Sequence, residues 1–474
     1  MKYDFLIVAS FKYDENILRT RLMVQELHRR GYSAFVVTTS ALGDREMGRH
    51  GVPFRNLRSL LAESTNGLEV DDKTCREVAQ RYGLINLVDF VSLHCQMFRT
   101  DVRTVVGESV KTFLAFERLF ERHEFGCLHQ YNGGEIFRRV ASRVAKRHGV
   151  PVLYYDFAPF PGKIRFSLDE GGTWAGLGDG AGEVSESQLG ETRKHIRETV
   201  ERAVPFFSAQ PVRAVPRFGR ILCVILSDVF RKYALNRGSE YEPLLSAYWG
   251  MFLRRVRRKR QEGFCRLPDS NEQCMFFPLH YPIESTLMIR ARPFVYQEWL
   301  VEYITRSIPQ GYMLYVKEHP YSPGNFPTGF VRRLSKIPNV RWLRPEVNSY
   351  EVIQKASAVI VINSTAGFEA LLCGRPVVTL APSYYADRGV TIDVRDLSRL
   401  PEALARAVGF TPDREVVVRL VARMREASYD GPFWTDSSPI GVSQTIDALI
   451  ECCSRCLPGW TRRSSDSSVP AAHA

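Results

Sequence analysis

The sequence predicts an α/β protein of two doubly wound halves, and three observations carry the prediction. The chain has 474 residues, more than one hydrophobic core ordinarily supports, so two domains of roughly 200 residues each are expected. Short β-branched runs alternate with segments of helical spacing, the pattern of a parallel sheet covered by helices. The alternation stops at a Gly-, Asp- and Ser-rich stretch, Gly162 to Leu189, and resumes at Met275.

In the first half, Phe5 to Ala9 reads as a strand. Ile17, Leu18, Leu22, Met23 and Leu27 follow at helical spacing, Gly31 stops the helix, and Ala34 to Thr38 is a second strand. Further on, the pattern predicts a helix over Thr104 to Arg122, a strand near Cys127 to Gln130, a helix over Glu135 to His148 and a strand at Val152 to Tyr155. Gly162 to Leu189 is expected to be loop. Glu191 to about Gln261 is expected to be helical, and it holds the densest basic run, Arg254, Arg255, Arg257, Arg258, Lys259 and Arg260.

The second half predicts strands at Met275 to Pro278, Met313 to Lys317, Val340 to Leu343, Ala358 to Ile362 and Val377 to Leu380. Helices are predicted over Gln297 to Ser307, Phe330 to Ile337, Tyr350 to Ala356 and Ala366 to Cys373. Gly431 to Leu449 reads as a turn and a helix long enough to pack back on the first half. The Ser-, Ala- and Pro-rich tail from Arg462 is expected to be disordered. The expected divisions are therefore 1–190, a basic helical connector 191–270, 271–430, a returning helix 431–460 and a tail 461–474.

A net charge of +12 suits nucleic acid, an anionic membrane surface or acidic small substrates alike. Nucleic acid is set aside because the basic residues are not interleaved with stacking aromatics and form no known module. Ten cysteines lie scattered, and Cys452, Cys453 and Cys456 lack a His cluster or second CxxC, which points to a reduced compartment. The N-terminal apolar run lacks the length and cleavage site of a signal peptide, and no run approaches the roughly 18 apolar residues of a membrane span. A cytoplasmic protein is expected.

Ligands of open parallel sheets bind at the carboxyl ends of the strands, and five segments fall there. Lys317-Glu318-His319-Pro320 offers a His and a Lys to a phosphate, or simply closes a turn. Asn363-Ser364-Thr365-Ala366-Gly367 offers hydroxyls and free N–H groups at a helix start, an anion site, although Ser364 or Thr365 would equally cap that helix. Glu369 stands close behind, where it can accept bonds from a ribose or complement the helix dipole. Tyr154-Tyr155-Asp156-Phe157-Ala158-Pro159, with Asp169 and Gly171 beyond, presents Asp156 as a base or nucleophile, or as a turn former. His129 to Glu135 includes Asn132, Gly133 and Gly134, small residues that let a ligand approach the backbone, or simply form a turn. Pro278 to Ser285 holds His280 and Glu284 near the expected interdomain hinge, unless His280 is a buried structural residue.

Together these segments resemble the capsule polysaccharide biosynthesis family, which includes transferases of the acidic sugar Kdo. The matching motifs, in order, are YYDFAPFPG, PLHYPIES at Pro278, VKEHP at Val316, the segment Val359 to Thr365 and GFEALLCGRPVV from Gly367. Where the family usually has Glu and then Gly, this sequence has Asp156 and Ala158. The resemblance implies a GT-B fold, two Rossmann-like domains facing a central cleft, and transfer without a metal from a CMP-linked sugar to a glycan or glycolipid acceptor. The pairing of HP with Ser-Thr is similar to the donor phosphate site of bacterial sialyltransferases. Carried over, Lys317, His319, Pro320, Asn363, Ser364, Thr365 and Gly367 hold the donor, Glu369 the ribose, and Asp156 supplies the carboxylate. Asn132, Gly133, Gly134, His280 and Glu284 line the acceptor side or cleft. No Asp-x-Asp marks a metal site, Asp71-Asp72 reads as solvated surface, and no cofactor beyond the sugar nucleotide is implied. The run Arg254–Arg260 is expected to touch an anionic inner membrane, or to form a solvated helix face. The competing functions are a sugar-nucleotide epimerase of the same plan and a non-catalytic assembly or export component.

Overall fold

A computed structural model describes residues 1–9, 14–65, 67–178, 184–203, 226, 229–230, 244–320, 323–432 and 437–460. The tail expected to be disordered, and most of the middle of the expected helical stretch 191–261, lie outside the described residues. The chain divides into two units, one of Met1–Gly178, Arg217–Ser246 and Ala427–Ala474, the other of Asp179–Pro216 and Ala247–Glu426.

The first unit opens with β1 (Lys2–Val8), α1 (Asp14–Arg29), β2 (Ala34–Thr38), α2 (Ala41–Arg49) and β3 (Phe54–Asn56). Three helices follow, α3 (Leu57–Thr65), α4 (Asp72–Arg81) and α5 (Leu87–Phe98), then the long α6 (Val102–Arg122). The sheet resumes with β4 (Glu124–Tyr131), α7 (Ile136–Arg147), β5 (Val152–Phe157) and β6 (Lys163–Ser167). β1 to β5 are parallel, and the apolar runs of β1 and β2 are buried throughout, as strands covered on both faces must be.

One expectation is corrected here. The stretch from Gly162 is not all loop: Lys163–Ser167 pairs antiparallel with β5, Asp156 opposite Arg165, because its Ile164 and Phe166 find a place in the core. Asp71 and Asp72 are exposed, as the sequence suggests, and the Asp71 carboxylate accepts the Thr74 N–H at 2.8 Å and caps α4.

The chain then enters the second unit with α8 (Glu186–Arg202) and α9 (Leu244–Gln261). Its sheet is built from β7 (Cys274–Pro278), β8 (Met313–Lys317), β9 (Val340–Trp342), β10 (Ala358–Val361), β11 (Val377–Thr379) and β12 (Ile392–Asp393). After β7 come α10 (Ser285–Met288) and α11 (Gln297–Ser307), and α12 (Thr328–Leu334), α13 (Ser349–Lys355) and α14 (Thr365–Leu372) connect the later strands. α15 (Leu400–Gly409) and α16 (Arg414–Glu426) complete this unit. The chain returns to the first unit as β13 (Tyr429–Asp430), which pairs with β6, and α17 (Pro439–Cys456). There α17 packs on α1, with the buried Arg19 Nη2 donating to Thr445 Oγ1 at 3.0 Å. The cysteines among the described residues are all free.

Strand order decides where a ligand can bind. The second sheet runs β12-β11-β10-β7-β8-β9 with every pair parallel, the Rossmann order with its reversal between β7 and β10. The first runs β13-β6-β5-β4-β1-β2-β3, with the same reversal between β1 and β4. The protein is thus two Rossmann-like units in one chain, each with a crevice position fixed by topology.

Candidate functional site

At the reversal in the second sheet, β7 ends at Pro278 and leads into Leu279-His280. The Gln297 side chain, buried at the start of α11, accepts the His280 N–H at 2.8 Å and donates to its carbonyl at 3.2 Å. This amide grips the His280 backbone from both sides. His280 Nδ1 lies 3.4 Å from Glu284 Oε2, an arrangement that orients the ring. Burial alone would raise the Glu284 carboxyl. The bond and charge of His280, the charge of His319 and the Thr286 hydroxyl together hold it below its ordinary value.

His319 follows β8, the neighbouring strand, and its ring centroid lies 6.4 Å from that of Tyr281. Burial pulls its imidazole down to about 4, with His280 and Lys317 adding to the effect and the Glu284 charge opposing it. Lys317 is buried at the end of β8, and desolvation lowers its ammonium to about 8 against the pull of Glu346 and Glu318. Glu318 is buried too and accepts three main-chain N–H groups, from Gly324 at 2.9 Å, Asn325 at 3.1 Å and Phe326 at 3.2 Å. Gly324, Asn325 and Phe326 are gathered around this carboxylate.

From the other side of the reversal, β10 delivers Asn363, Ser364 and Thr365. Asn363 Nδ2 donates to the Thr286 carbonyl at 3.2 Å, which ties this loop to the one carrying Glu284. Ser364 occupies the N-cap position of α14, yet its hydroxyl makes no cap. Its Oγ is a buried atom without a hydrogen-bond partner, as are Asn363 Oδ1 and His280 Nε2. Gly367, one turn into α14, has Tyr385 against it: a Cβ there would sit 2.4 Å from the phenol oxygen, which itself donates to the Ser364 carbonyl. Glu369 is buried deeper in the same helix, where its charge acts on Tyr350, Cys373 and Tyr385.

The structure therefore brings His280, Glu284, His319, Asn363 and Ser364 to one place in the second unit, with Thr365 and Gly367 in the adjoining first turns of α14. Lys317, Pro320 and Glu369 lie in the same unit, whereas Asn132, Gly133, Gly134 and Asp156 belong to the first. There His94 Nδ1 accepts the Ile136 N–H at 3.2 Å and Glu135 pairs with Arg138, while Asn132 Oδ1 is, like Asn363 Oδ1, a buried atom without a hydrogen-bond partner. Gly134 is required by packing, because a Cβ would lie 2.2 Å from Leu93 Cδ2. Both Asp156 oxygens are engaged, Oδ1 by the Phe157 N–H at 2.9 Å and Oδ2 by the buried Arg165 guanidinium at 2.5 Å. Asp169 closes a turn onto Thr173. Sequence reasoning did not find Gln297, Tyr385 or the part played by Glu318. A buried amide and a buried carboxylate that hold backbone have no motif.

Residues 296–408 match the model of the capsule polysaccharide biosynthesis proteins. That segment is similar to the capsule polysaccharide biosynthesis family. Its bounds enclose Lys317 to Pro320 and Asn363 to Glu369, and stop short of His280 and Glu284. Among curated proteins, the chain is similar to Protein FixF of Sinorhizobium fredii, 36% identical over 104 residues, 22% of this chain and 24% of that protein. It is also similar to the capsule polysaccharide modification protein LipA of Neisseria meningitidis serogroup B, 33% identical over 95 residues, 20% of this chain and 14% of that protein. The matches span about a quarter of these relatives' length or less. A solved structure, the beta Kdo 2,4 transferase KpsC of Thermosulfurimonas dismutans, is 14% identical with a TM-score of 0.37, covering 65% of this chain and 93% of that one. No helix among the described residues is long and apolar enough to cross a membrane.

Proposed function

We propose that the protein is a glycosyltransferase of bacterial surface polysaccharide biosynthesis, and that it seats the phosphate of a nucleotide sugar at the carboxyl edge of the second sheet. The observation that carries the proposal is the Ser364 hydroxyl, buried at a helix N-cap position without capping, beside Asn363 Oδ1 and His280 Nε2 in the same condition. A buried polar atom left unpaired costs on the order of 1–3 kcal/mol. Three of them on the loops that flank a Rossmann switch point, one at a helix N-cap position, suit a phosphate or sugar hydroxyl that arrives with the substrate.

The capsule-family segment and the LipA relative's role in capsule polysaccharide modification support a surface polysaccharide product. The motif pairing of His319-Pro320 with Ser364-Thr365 points to a CMP-linked acidic donor of the Kdo class, and Glu369 is assigned to the ribose. In the transfer an acceptor hydroxyl attacks the anomeric carbon, the bond from that carbon to the phosphate oxygen breaks, and its electron pair leaves on CMP. The hydroxyl proton passes to a base, for which Asp156 is the proposed group. Alternatively Asp156 is the nucleophile of a double displacement. His319, Lys317 and the α14 N–H groups neutralise the leaving phosphate, a task that needs no divalent cation if these groups reach it.

The test is calorimetric titration with CMP, UDP and GDP on the wild type, His319→Ala and Ser364→Ala. Losing a charge-assisted bond to phosphate costs roughly 1.5–3 kcal/mol, so each variant should bind CMP about tenfold to over a hundredfold more weakly. Preference for UDP or GDP would leave the transferase and remove the acidic donor. Release of an altered sugar without acceptor would make the protein an epimerase, and absence of nucleotide binding would make it a non-catalytic component.

A further inference from the structure

The basic run Arg254–Arg260 divides into two faces of α9. One face is spent inside the second unit: Arg257 Nη1 donates to the Asn325 carbonyl at 3.4 Å, Gln261 Nε2 donates to the Phe326 carbonyl at 2.7 Å, and Arg258 pairs with Glu346. The helix backbone presses there as well. Gly324 stands at φ +81, and a Cβ on it would lie 2.2 Å from the Arg254 carbonyl oxygen.

At about 100° per residue, the opposite half of the helix presents Trp249, Met251, Phe252, Arg255, Lys259 and Arg260. The three apolar residues are 58%, 54% and 48% exposed, and the two aromatic rings stack 5.4 Å apart. The three cations are exposed as well, and α9 contains no acidic residue. Aromatic and sulfur side chains in water beside a purely cationic row complement one kind of surface, an anionic lipid headgroup layer over acyl chains.

We propose that this face of α9 docks the protein on an anionic membrane, with Trp249, Met251 and Phe252 entering the headgroup boundary and Arg255, Lys259 and Arg260 on the lipid phosphates. Arg257 and Arg258 take no part, because their side chains turn onto the Asn325 carbonyl and Glu346. The same helix clamps the loop that follows His319, so docking sets the second unit's candidate site at a fixed orientation to the bilayer. A lipid-linked acceptor would meet it there. That last consequence rests on the transferase reading; the docking face does not.

The experiment is flotation of the full chain with vesicles of phosphatidylcholine alone or mixed with phosphatidylglycerol, with CMP titration of each variant as an independent control. The wild type should float with the anionic vesicles only. Each cation near such a surface is worth about 1 kcal/mol, about fivefold in affinity. Replacing Arg255, Lys259 and Arg260 together by Gln should therefore weaken binding roughly a hundredfold, whereas Arg257→Gln should change it less than twofold. Trp249→Ala with Phe252→Ala should abolish the salt-resistant part. Failure of the wild type to float, or equal losses from both faces, would overturn the proposal. So would a shift from dimer to monomer in the Trp249→Ala, Phe252→Ala variant, which would make the face a contact between copies of this chain. CMP affinity should be unchanged in the outer-face variants, so the docking and transferase readings fail separately.

Discussion

Glu318, the first residue after β8, accepts the Gly324 N–H on Oε2 at 2.9 Å. Two further N–H groups reach the other oxygen, from Asn325 and Phe326. Burial raises this carboxyl in spite of the three bonds, so it is held for its geometry at some cost. Glu318→Ala strands three buried donors, and at about 1–3 kcal/mol for each unsatisfied group the second unit should lose several kcal/mol, visible in urea unfolding. Glu318→Gln keeps one acceptor oxygen and should lose less. If Glu318 positions His319 as well, nucleotide affinity should fall in the Gln variant under conditions where it remains fully folded. Unchanged affinity would confine the residue to loop stability.

Ser364 and Ser40 make a matched pair. Ser40 caps α2 by accepting the Gly43 N–H at 3.1 Å, whereas Ser364 holds the equivalent position on α14 without capping. Ser40→Ala should therefore cost about 1 kcal/mol of stability and leave nucleotide binding alone. Ser364→Ala should do the reverse, with stability within about 0.5 kcal/mol of wild type and weaker binding. Thermal unfolding with and without CMP reads both effects. A large loss of stability in Ser364→Ala would show that the hydroxyl serves the fold.

Gly367 is held to its size by Tyr385. A methyl at 2.4 Å from the phenol oxygen and 2.8 Å from Cζ cannot be accommodated without moving a fully buried ring. Overpacking of this kind costs about 1–3 kcal/mol. Gly367→Ala should lower the melting temperature and weaken nucleotide binding together, because the displaced phenol also releases the Ser364 carbonyl.

How much of this could be read from sequence depended on burial. Five of the six strands of the second sheet were legible to within a residue or so at each end, as with Met313–Lys317, because a strand covered on both faces is a continuous apolar run, whereas the two-residue β12 was too short to show. The region between β2 and α6 was not: α4, DKTCREVAQR, offers the core only the small stripe of Cys75, Val78 and Ala79, although α5, LVDFVSLHCQMF, carries an apolar face that could have been read. β6 was hidden by the glycines around it. In the site, the loops at β7, β8 and β10 were visible as motifs, but whether Ser364 caps its helix is a matter of rotamer, which composition does not encode. Likewise the Asp156 segment stood out in sequence, whereas its pairing with Arg165 depends on a strand register that the expected loop concealed.

The last prediction concerns pH. His129 is fully buried on β4 among Tyr155 and Phe166, and burial, with Arg19 adding, pulls its imidazole down to about 4; a bond with the Leu153 backbone opposes this. In the unfolded chain it titrates near 6.5. Between about pH 6.5 and 4 the unfolded state therefore binds the extra proton, so stability falls on acidification and is restored as the pH rises through this window. His94, His123 and His319 are depressed to the same level, each first by burial, and act in the same direction. Each contributes up to about 1.4 kcal/mol per pH unit in the window. Urea unfolding of the wild type across about pH 4 to 7 should give a steep acid limb, and His129→Gln should flatten it by about one proton's share. Because a bound phosphate favours the charged form of a neighbouring His, nucleotide at the candidate site should draw a proton onto His319. The binding enthalpy near pH 6 should then vary with the ionisation enthalpy of the buffer, and this dependence should vanish in His319→Gln but survive in His129→Gln.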